Sequence, residues 1–337
     1  MKLIDRRVIK WGVPVLLVLL VAVYGYISFM ITSGLTSWDR QQQEDEPGNY
    51  GLQYEEVEFT PRGDTITLDG WYLPGDSGKP TIIFVHGIGS MRSGDNATEI
   101  ASHLVDQGFN VLLFDLRAHG SSEGDYVSAG YFEQKDVLGA IDFLLKRGVT
   151  TDDIGVIGFS MGAGTSILAL VEEPGIRALV VDSPYARASD LLTSETTRKT
   201  GIPEWLSSIF IPAVKVMGSL FYGIDVGSLV PEEAVRRLTY PILVIHGKED
   251  TRIPYTHGER VYDKSYQGST IWVIPGVDHV DAFLDYPEEY VMKITEYFIG
   301  QLGIDSYNGE ANIIRYVFIF LFETKVYSRP CPEALRE

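Results

Sequence analysis

The hydrophobic pattern changes character along the chain. Residues 11–38 carry no charge, and their most apolar part, residues 13–31, reads VPVLLVLLVAVYGYISFMI. A helix of about 20 such residues, rising about 1.5 Å each, matches the roughly 30 Å hydrocarbon core of a bilayer. A polar stretch follows, DRQQQEDEPGN at residues 39–49, and its Pro47 and Gly48 predict a short linker. Residues 55–60 and 65–73 then alternate apolar and polar positions around Pro61, Arg62, Gly63 and Asp64, which predicts an antiparallel strand pair. Beyond them the apolar runs become short, continuous and β-branched, at 81–85, 111–114, 154–157, 178–181, 242–245 and 270–274. Such runs suit parallel strands covered on both faces. Helical stretches are predicted over 97–107, 133–147, 161–172, 254–266 and 287–300.

Strands alternating with helices at this spacing predict an α/β domain over residues 54–304, with an eight-stranded, mostly parallel sheet and helices on both faces. Chemistry in such sheets gathers at the carboxyl ends of the strands. Residues 186–237, between the sixth and seventh strands, are too many for an ordinary crossover and predict a helical cap. The tail, 305–337, includes IIRYVFIFLF at 313–322, a run too short to span a bilayer and interrupted by Arg315. No role is assigned to it. No internal repeat or low-complexity tract is present.

Charge refines the picture at the N-terminus. Lys2, Arg6, Arg7 and Lys10 precede the apolar run, and Asp39, Arg40, Glu44, Asp45 and Glu46 follow it. The excess of basic residues on the N-terminal side predicts a cytoplasmic segment at 1–10, a transmembrane anchor at 11–33, a linker at 34–53 and an extracytoplasmic catalytic domain. A cleaved signal peptide is the alternative, because Ser33, Gly34 and Ser37 supply small residues. The length of the apolar run and the lack of an A-x-A site favour a retained anchor. Over the whole chain, 46 acidic residues against 28 basic ones give a net charge of -18, which argues against a nucleic-acid partner. The single cysteine, Cys331, allows no internal disulfide, and the six dispersed histidines imply no metal site and no cofactor.

The candidate chemistry sits after the fifth strand, in Gly158-Phe159-Ser160-Met161-Gly162, followed by a helix. G-x-S-x-G is a weak pattern by itself, and a glycine-rich turn packing helix on strand would also produce it. The strand–turn–helix context makes Ser160 a candidate nucleophile. A serine needs a base within hydrogen-bond reach, and His279 follows the last strand. Asp250 follows the seventh strand in HGKED and is the candidate acid. Glu249, Asp182 and Asp278 compete for that role, Asp182 because it follows the sixth strand. The oxyanion of an acyl-transfer intermediate needs donors, expected from the backbone N–H groups of Met161 and Ile88. His86 lies near the site and is expected to shape the loop rather than act as base.

The order Ser, Asp, His is that of α/β-hydrolases. The chain resembles that broad family, and within it bacterial hydrolases and serine aminopeptidase-like proteins with an N-terminal membrane segment. The resemblance rests on HGIGS at 86–90, DLRAHGSSEG at 115–124, GFSMG at 158–162, DSPYA at 182–186, HGKED at 246–250 and GVDH at 276–279, and covers residues 54–300. It implies the α/β-hydrolase fold, with Asp115, Arg117 and residues 120–122 shaping a loop beside the site. The expected function is hydrolysis of a carboxylic ester or thioester through an acyl-Ser160 intermediate, on a small-molecule or lipid-like acyl substrate. A serine peptidase with the same triad, and a non-catalytic binding protein, are the alternatives. Cap residues from Trp205 to Tyr222 are expected either to pack the cap onto the core or to line an apolar acyl cleft. No oligomeric state follows from the sequence.

Overall fold

The computed structural model describes residues 6–43 and 45–303, with side chains from residue 10 onward. The predicted tail at 305–337 lies outside the described residues.

A long helix, α1 (Arg6–Thr36), leads into β1 (Glu55–Phe59) and β2 (Leu68–Leu73). Then strands and helices alternate: β3 (Thr81–Val85), α2 (Ala97–Asp106), β4 (Asn110–Phe114), α3 (Glu133–Lys146), β5 (Ile154–Phe159), α4 (Met161–Leu170) and β6 (Ala178–Asp182). The segment between the sixth and seventh strands is helical, with α5 (Ala188–Thr200), α6 (Glu204–Tyr222) and the short α7 (Pro231–Ala234). β7 (Leu243–Gly247), α8 (Thr256–Lys264), β8 (Thr270–Ile274), α9 (Ala282–Asp285) and α10 (Pro287–Leu302) complete the domain.

The eight strands form one sheet in the order β1-β2-β4-β3-β5-β6-β7-β8. β2 runs antiparallel to both neighbours, pairing Trp71 with Glu56 of β1 and with Leu113 of β4. From β4 to β8 every pairing is parallel. Sequence pattern and burial agree in the central strands, whereas β8, a continuous apolar run read as covered on both faces, lies at the sheet edge and buries only Ile274. β3, β5 and β6 are buried at every position, as continuous apolar runs require, whereas the edge strand β1 buries only Val57 and Phe59. Ile83, Val85, Leu112, Val156, Leu179 and Val181 belong to the main apolar cluster. The second strand is shorter than its alternation predicts, because Thr67 is tied to Glu123 instead: its N–H donates to the Glu123 carboxylate and its carbonyl accepts from the Glu123 N–H.

The largest departure from the sequence pattern is in α1, which continues past residue 33 to Thr36. Its last three turns pack on α5 and α6 rather than standing free. Ser28, Thr32 and Thr36, spaced four apart, are buried on that side. Each hydroxyl donates to the carbonyl four residues back, so small polar side chains allow close packing without leaving a donor unpaired. The following segment is tied down as well. Val127 N–H donates to Thr36 O at 2.9 Å, and the Arg40 guanidinium donates to the carbonyls of His119, Gly120, Ser122 and Gly124. The six parallel strands, β3 to β8, bring the loops at their carboxyl ends together on one edge, and α1 ends beside them.

Candidate active site

Ser160 occupies the turn between β5 and α4 with φ 52 and ψ -115, a conformation that costs a non-glycine residue free energy. Its N–H donates to Asp182 O at 2.8 Å, which anchors the turn to β6. The two flanking glycines are required by contact. A Cβ at Gly158 would lie 2.6 Å from Gly162 O, and one at Gly162 would lie 2.1 Å from Val85 O. Without those atoms, α4 can start directly behind Ser160 and aim its positive end at the hydroxyl.

His279, after β8, places Nε2 2.8 Å from Ser160 Oγ and Nδ1 2.7 Å from Asp250 Oδ2. The carboxylate accepts at Nδ1, so the proton sits there and Nε2 presents a lone pair to the serine. Asp250 is buried after β7, and its other oxygen accepts from the N–H groups of Arg252 at 2.9 Å and Ile253 at 2.7 Å. Burial alone would raise this carboxyl. The hydrogen bonds from His246 and His279, the charge of His279 and the Ile253 amide outweigh burial and hold it well below the usual carboxylate range.

The competing acids are engaged elsewhere. The Asp182 carboxylate accepts from Ser183 Oγ at 3.0 Å and Tyr290 OH at 3.0 Å. Burial pushes it up to about 6 against those two bonds. Asp278 accepts from Thr251 and from its neighbour's N–H, and Glu249 accepts from Gly276 N–H.

The loop after β3 is held by two histidines. His86 Nδ1 lies 2.8 Å from Gly87 O, while its Nε2 accepts from Leu116 N–H at 3.0 Å. His119 Nδ1 lies 2.8 Å from Arg117 O, and its Nε2 accepts from Gly89 N–H at 3.1 Å. With one nitrogen donating and the other accepting, each ring is neutral, and burial lowers the pKa of both. Gly87 N–H donates to Asp95 Oδ2 at 2.7 Å. The N–H groups on both sides of Ile88 are therefore used. Among the described residues, those of Ile88 and Met161 donate to no protein acceptor.

Beside Ser160 lies a cavity of about 110 Å³. Ile88, Met161, Tyr185, Leu191, Leu192 and Ile253 line it, together with Leu35 and Trp38 from the end of α1 and the segment after it. No α6 residue is on its wall, so of the two roles expected for residues 205–222 the cavity supports packing, and its own wall comes from α5 and the end of α1. The reason is packing. The inward side chains of α6, Phe210 and Val214, cluster with Ile31 of α1. Glu195 also lines the cavity, and Arg198 and Arg252 hold its carboxylate below the ordinary range although burial alone would raise it.

Sequence reading missed several residues here. His246, at the head of HGKED, places Nε2 3.1 Å from Asp250 Oδ2 and 2.9 Å from Ile253 O, so its proton lies on Nε2 between two acceptors. Its spacing of four from Asp250 is visible in the sequence. His119 lies within the quoted DLRAHG motif. Leu35 and Trp38 carry no local signal, because the residues they face across the cavity, from Ile88 onward, are 50 or more residues away in the chain.

These features can be set beside known proteins. A family profile for the alpha/beta hydrolase fold matches residues 80–239. The uncharacterized protein YfhR of Escherichia coli O157:H7 is 31% identical over 259 residues, which is 74% of this chain and 82% of that protein. Lysophosphatidylserine lipase ABHD12 of Danio rerio is 25% identical over 237 residues, 66% of this chain and 57% of that protein. Among solved structures, the Pyrococcus furiosus esterase Pf2001 matches with a TM-score of 0.63 at 28% identity, covering 78% of this chain and 98% of its own. These matches, with the eight-stranded, mostly parallel sheet, show that the chain belongs to the α/β-hydrolase family.

Proposed function

We propose that the protein hydrolyses carboxylic esters or thioesters through an acyl-Ser160 intermediate. The observation that carries this reading is the unbroken relay from Asp250 through His279 to Ser160, with bonds of 2.7 and 2.8 Å. His279 Nε2 takes the Ser160 proton as Oγ attacks the acyl carbon. The oxyanion forms opposite the uncommitted N–H groups of Met161 and Ile88, donors worth about 3 kcal/mol each when preorganised. His279 then gives the proton to the departing alcohol or thiol oxygen or sulfur. In the second half, water loses a proton to the same nitrogen and attacks the acyl carbon; the bond to Ser160 Oγ then breaks, His279 returns the proton to Oγ and the acid leaves.

The apolar cavity wall and the esterase and lipase among the relatives support an acyl substrate, small or lipid-like. A peptidase reading lacks similar support: Glu195, the carboxylate on the wall, is already paired with two arginines and offers little to a peptide amine. α1, long and apolar enough to cross a membrane, is taken as the anchor, with residues 1–10 cytoplasmic and the catalytic domain outside. The test is labelling of the full-length protein with a fluorophosphonate probe, alongside hydrolysis of p-nitrophenyl esters. Ser160→Ala should lose all labelling and about 10³-fold or more in kcat/KM. Equal labelling of both proteins would remove Ser160 as nucleophile.

A further inference from the structure

α6 buries one face, Ser207, Phe210, Val214 and Gly218, against its neighbours. Its opposite face should then be polar if it met water. It is not: Trp205, Ile209, Pro212, Val216 and Leu220 follow one another at helical spacing, all exposed, with Trp205 at 71% and Leu220 at 72%. The helix as a whole is long and apolar enough to cross a membrane. Its connections rule that out, since both ends return within a few residues to the same domain, at Gly201 and at Val226 beside the cavity.

Contacts with α1 set the depth of this face. Tyr24 stacks on Phe210 and Phe29 meets Phe221, each pair with ring centroids 5.3 Å apart. Those contacts span about 7.5 Å along α1 and about 16 Å along α6 at 1.5 Å rise per residue, so the helices cross. If the hydrocarbon begins at Trp11, just after Lys10, then about 30 Å of it ends near Met30. α6 therefore packs on the part of α1 that lies in the last third of the bilayer. On the side that α6 leaves uncovered, Tyr26 and Met30 remain exposed to the same depth.

We propose that the outer face of α6 docks into the acyl region of the leaflet from which α1 emerges, so that the cap is a monotopic membrane insertion. This rests on the reading of α1 as an anchor. Leu35 lies about 7.5 Å beyond Met30 at helical rise, within the interfacial layer where the ester bonds of lipids reside. The cavity wall made by Leu35 and Trp38 then opens at the level of those bonds, and Ser160 receives a lipid-like ester laterally from the leaflet.

The experiment uses the full chain with Cys331→Ser, reconstituted in phosphatidylcholine vesicles. An environment-sensitive label is placed by Val18→Cys, Ile209→Cys, Val216→Cys or Asp152→Cys, and quenched by acyl-brominated lipid. Quenching at 18, 209 and 216 but not at 152 is expected. Quenching at 18 alone would overturn the docking and leave the anchor standing; quenching at none would overturn both. In parallel, Ile209→Ser with Val216→Ser and Leu220→Ser should keep hydrolysis of a soluble short ester and lose at least fivefold on a long-chain ester embedded in vesicles. Equal rates on both substrates would overturn the lateral route. Label-to-label contact at 216 that survives dilution in lipid would assign the face to a second copy and overturn the bilayer as its partner.

Discussion

Asp250 and Asp182 are both buried carboxylates at strand ends, and their partners separate them. Asp250 accepts four hydrogen bonds, two of them from imidazoles. Asp182 faces a serine and a tyrosine and is pushed up to about 6 by burial. Asp250→Asn should therefore lower kcat by about 10²–10⁴, because the amide no longer fixes the protonated Nδ1 of His279 or stabilises its charged form. Asp182→Asn should keep kcat within about tenfold, since its carbonyl, not its carboxylate, holds Ser160. Reversed effects in the same assay would move the acid to the sixth strand. His119 allows a second test at this scale. Burial lowers its pKa, so between about 6.5 and that lower value the unfolded chain binds a proton the folded chain refuses. Stability from this site is present at neutral pH and is lost as pH falls. His119→Gln, which can still donate and accept, should lose less stability than wild type between pH 7.5 and 5.5, by up to about 1.4 kcal/mol. Denaturant melts at the two pH values measure the difference, and parallel losses would remove His119 as its source.

At the scale of elements, β3 to β8 were legible because apolar continuity, strand length and turn residues all point the same way in a buried parallel sheet. The serine turn and its partners were legible because strand order brings their loops to one edge. Leu68 as the start of β2 was not, since alternation continues through Thr65 and Ile66 while a distant glutamate takes the backbone bonds. The apolar face of α1 was legible as apolar, but its pattern does not distinguish a lipid neighbour from a cap. The consequence is greatest at Trp38, which the sequence reading placed in a linker. Its indole covers Gly89, where a Cβ would lie 2.5 Å from the ring, and Lys199 Nζ sits 3.6 Å from the ring centroid. Trp38→Ala should open the cavity wall and loosen the oxyanion loop together. The expected result is a lower kcat/KM for all esters and a weaker preference for octanoyl over acetyl. In the wild type, each buried methylene is worth about 0.8 kcal/mol, or about fourfold. An unchanged chain-length profile would show that Trp38 does not border the acyl site.

For the whole molecule, the question is whether the N-terminal segment is an anchor or a signal that is removed. Cleavage near Leu35 or Trp38, where the small residues lie, would delete part of the cavity wall and the Thr36 carbonyl that accepts from Val127. It would also strip the cover from Phe210 and Val214, leaving an apolar patch on α6. Packing of α1 on the cap and of Leu35 and Trp38 on the cavity beside Ser160 supports a retained segment. The four basic residues before the apolar run and the acidic ones after it favour a cytoplasmic N-terminus. Protease added to intact spheroplasts should accordingly digest the catalytic domain while a tag ahead of residue 1 stays protected until lysis. The mature protein should begin at or near Met1. A tag digested together with the domain would reverse or abolish the assigned topology. A mature N-terminus near residue 35 would show release, and the purified product should then lack the part of the cavity wall that Leu35 and Trp38 supply.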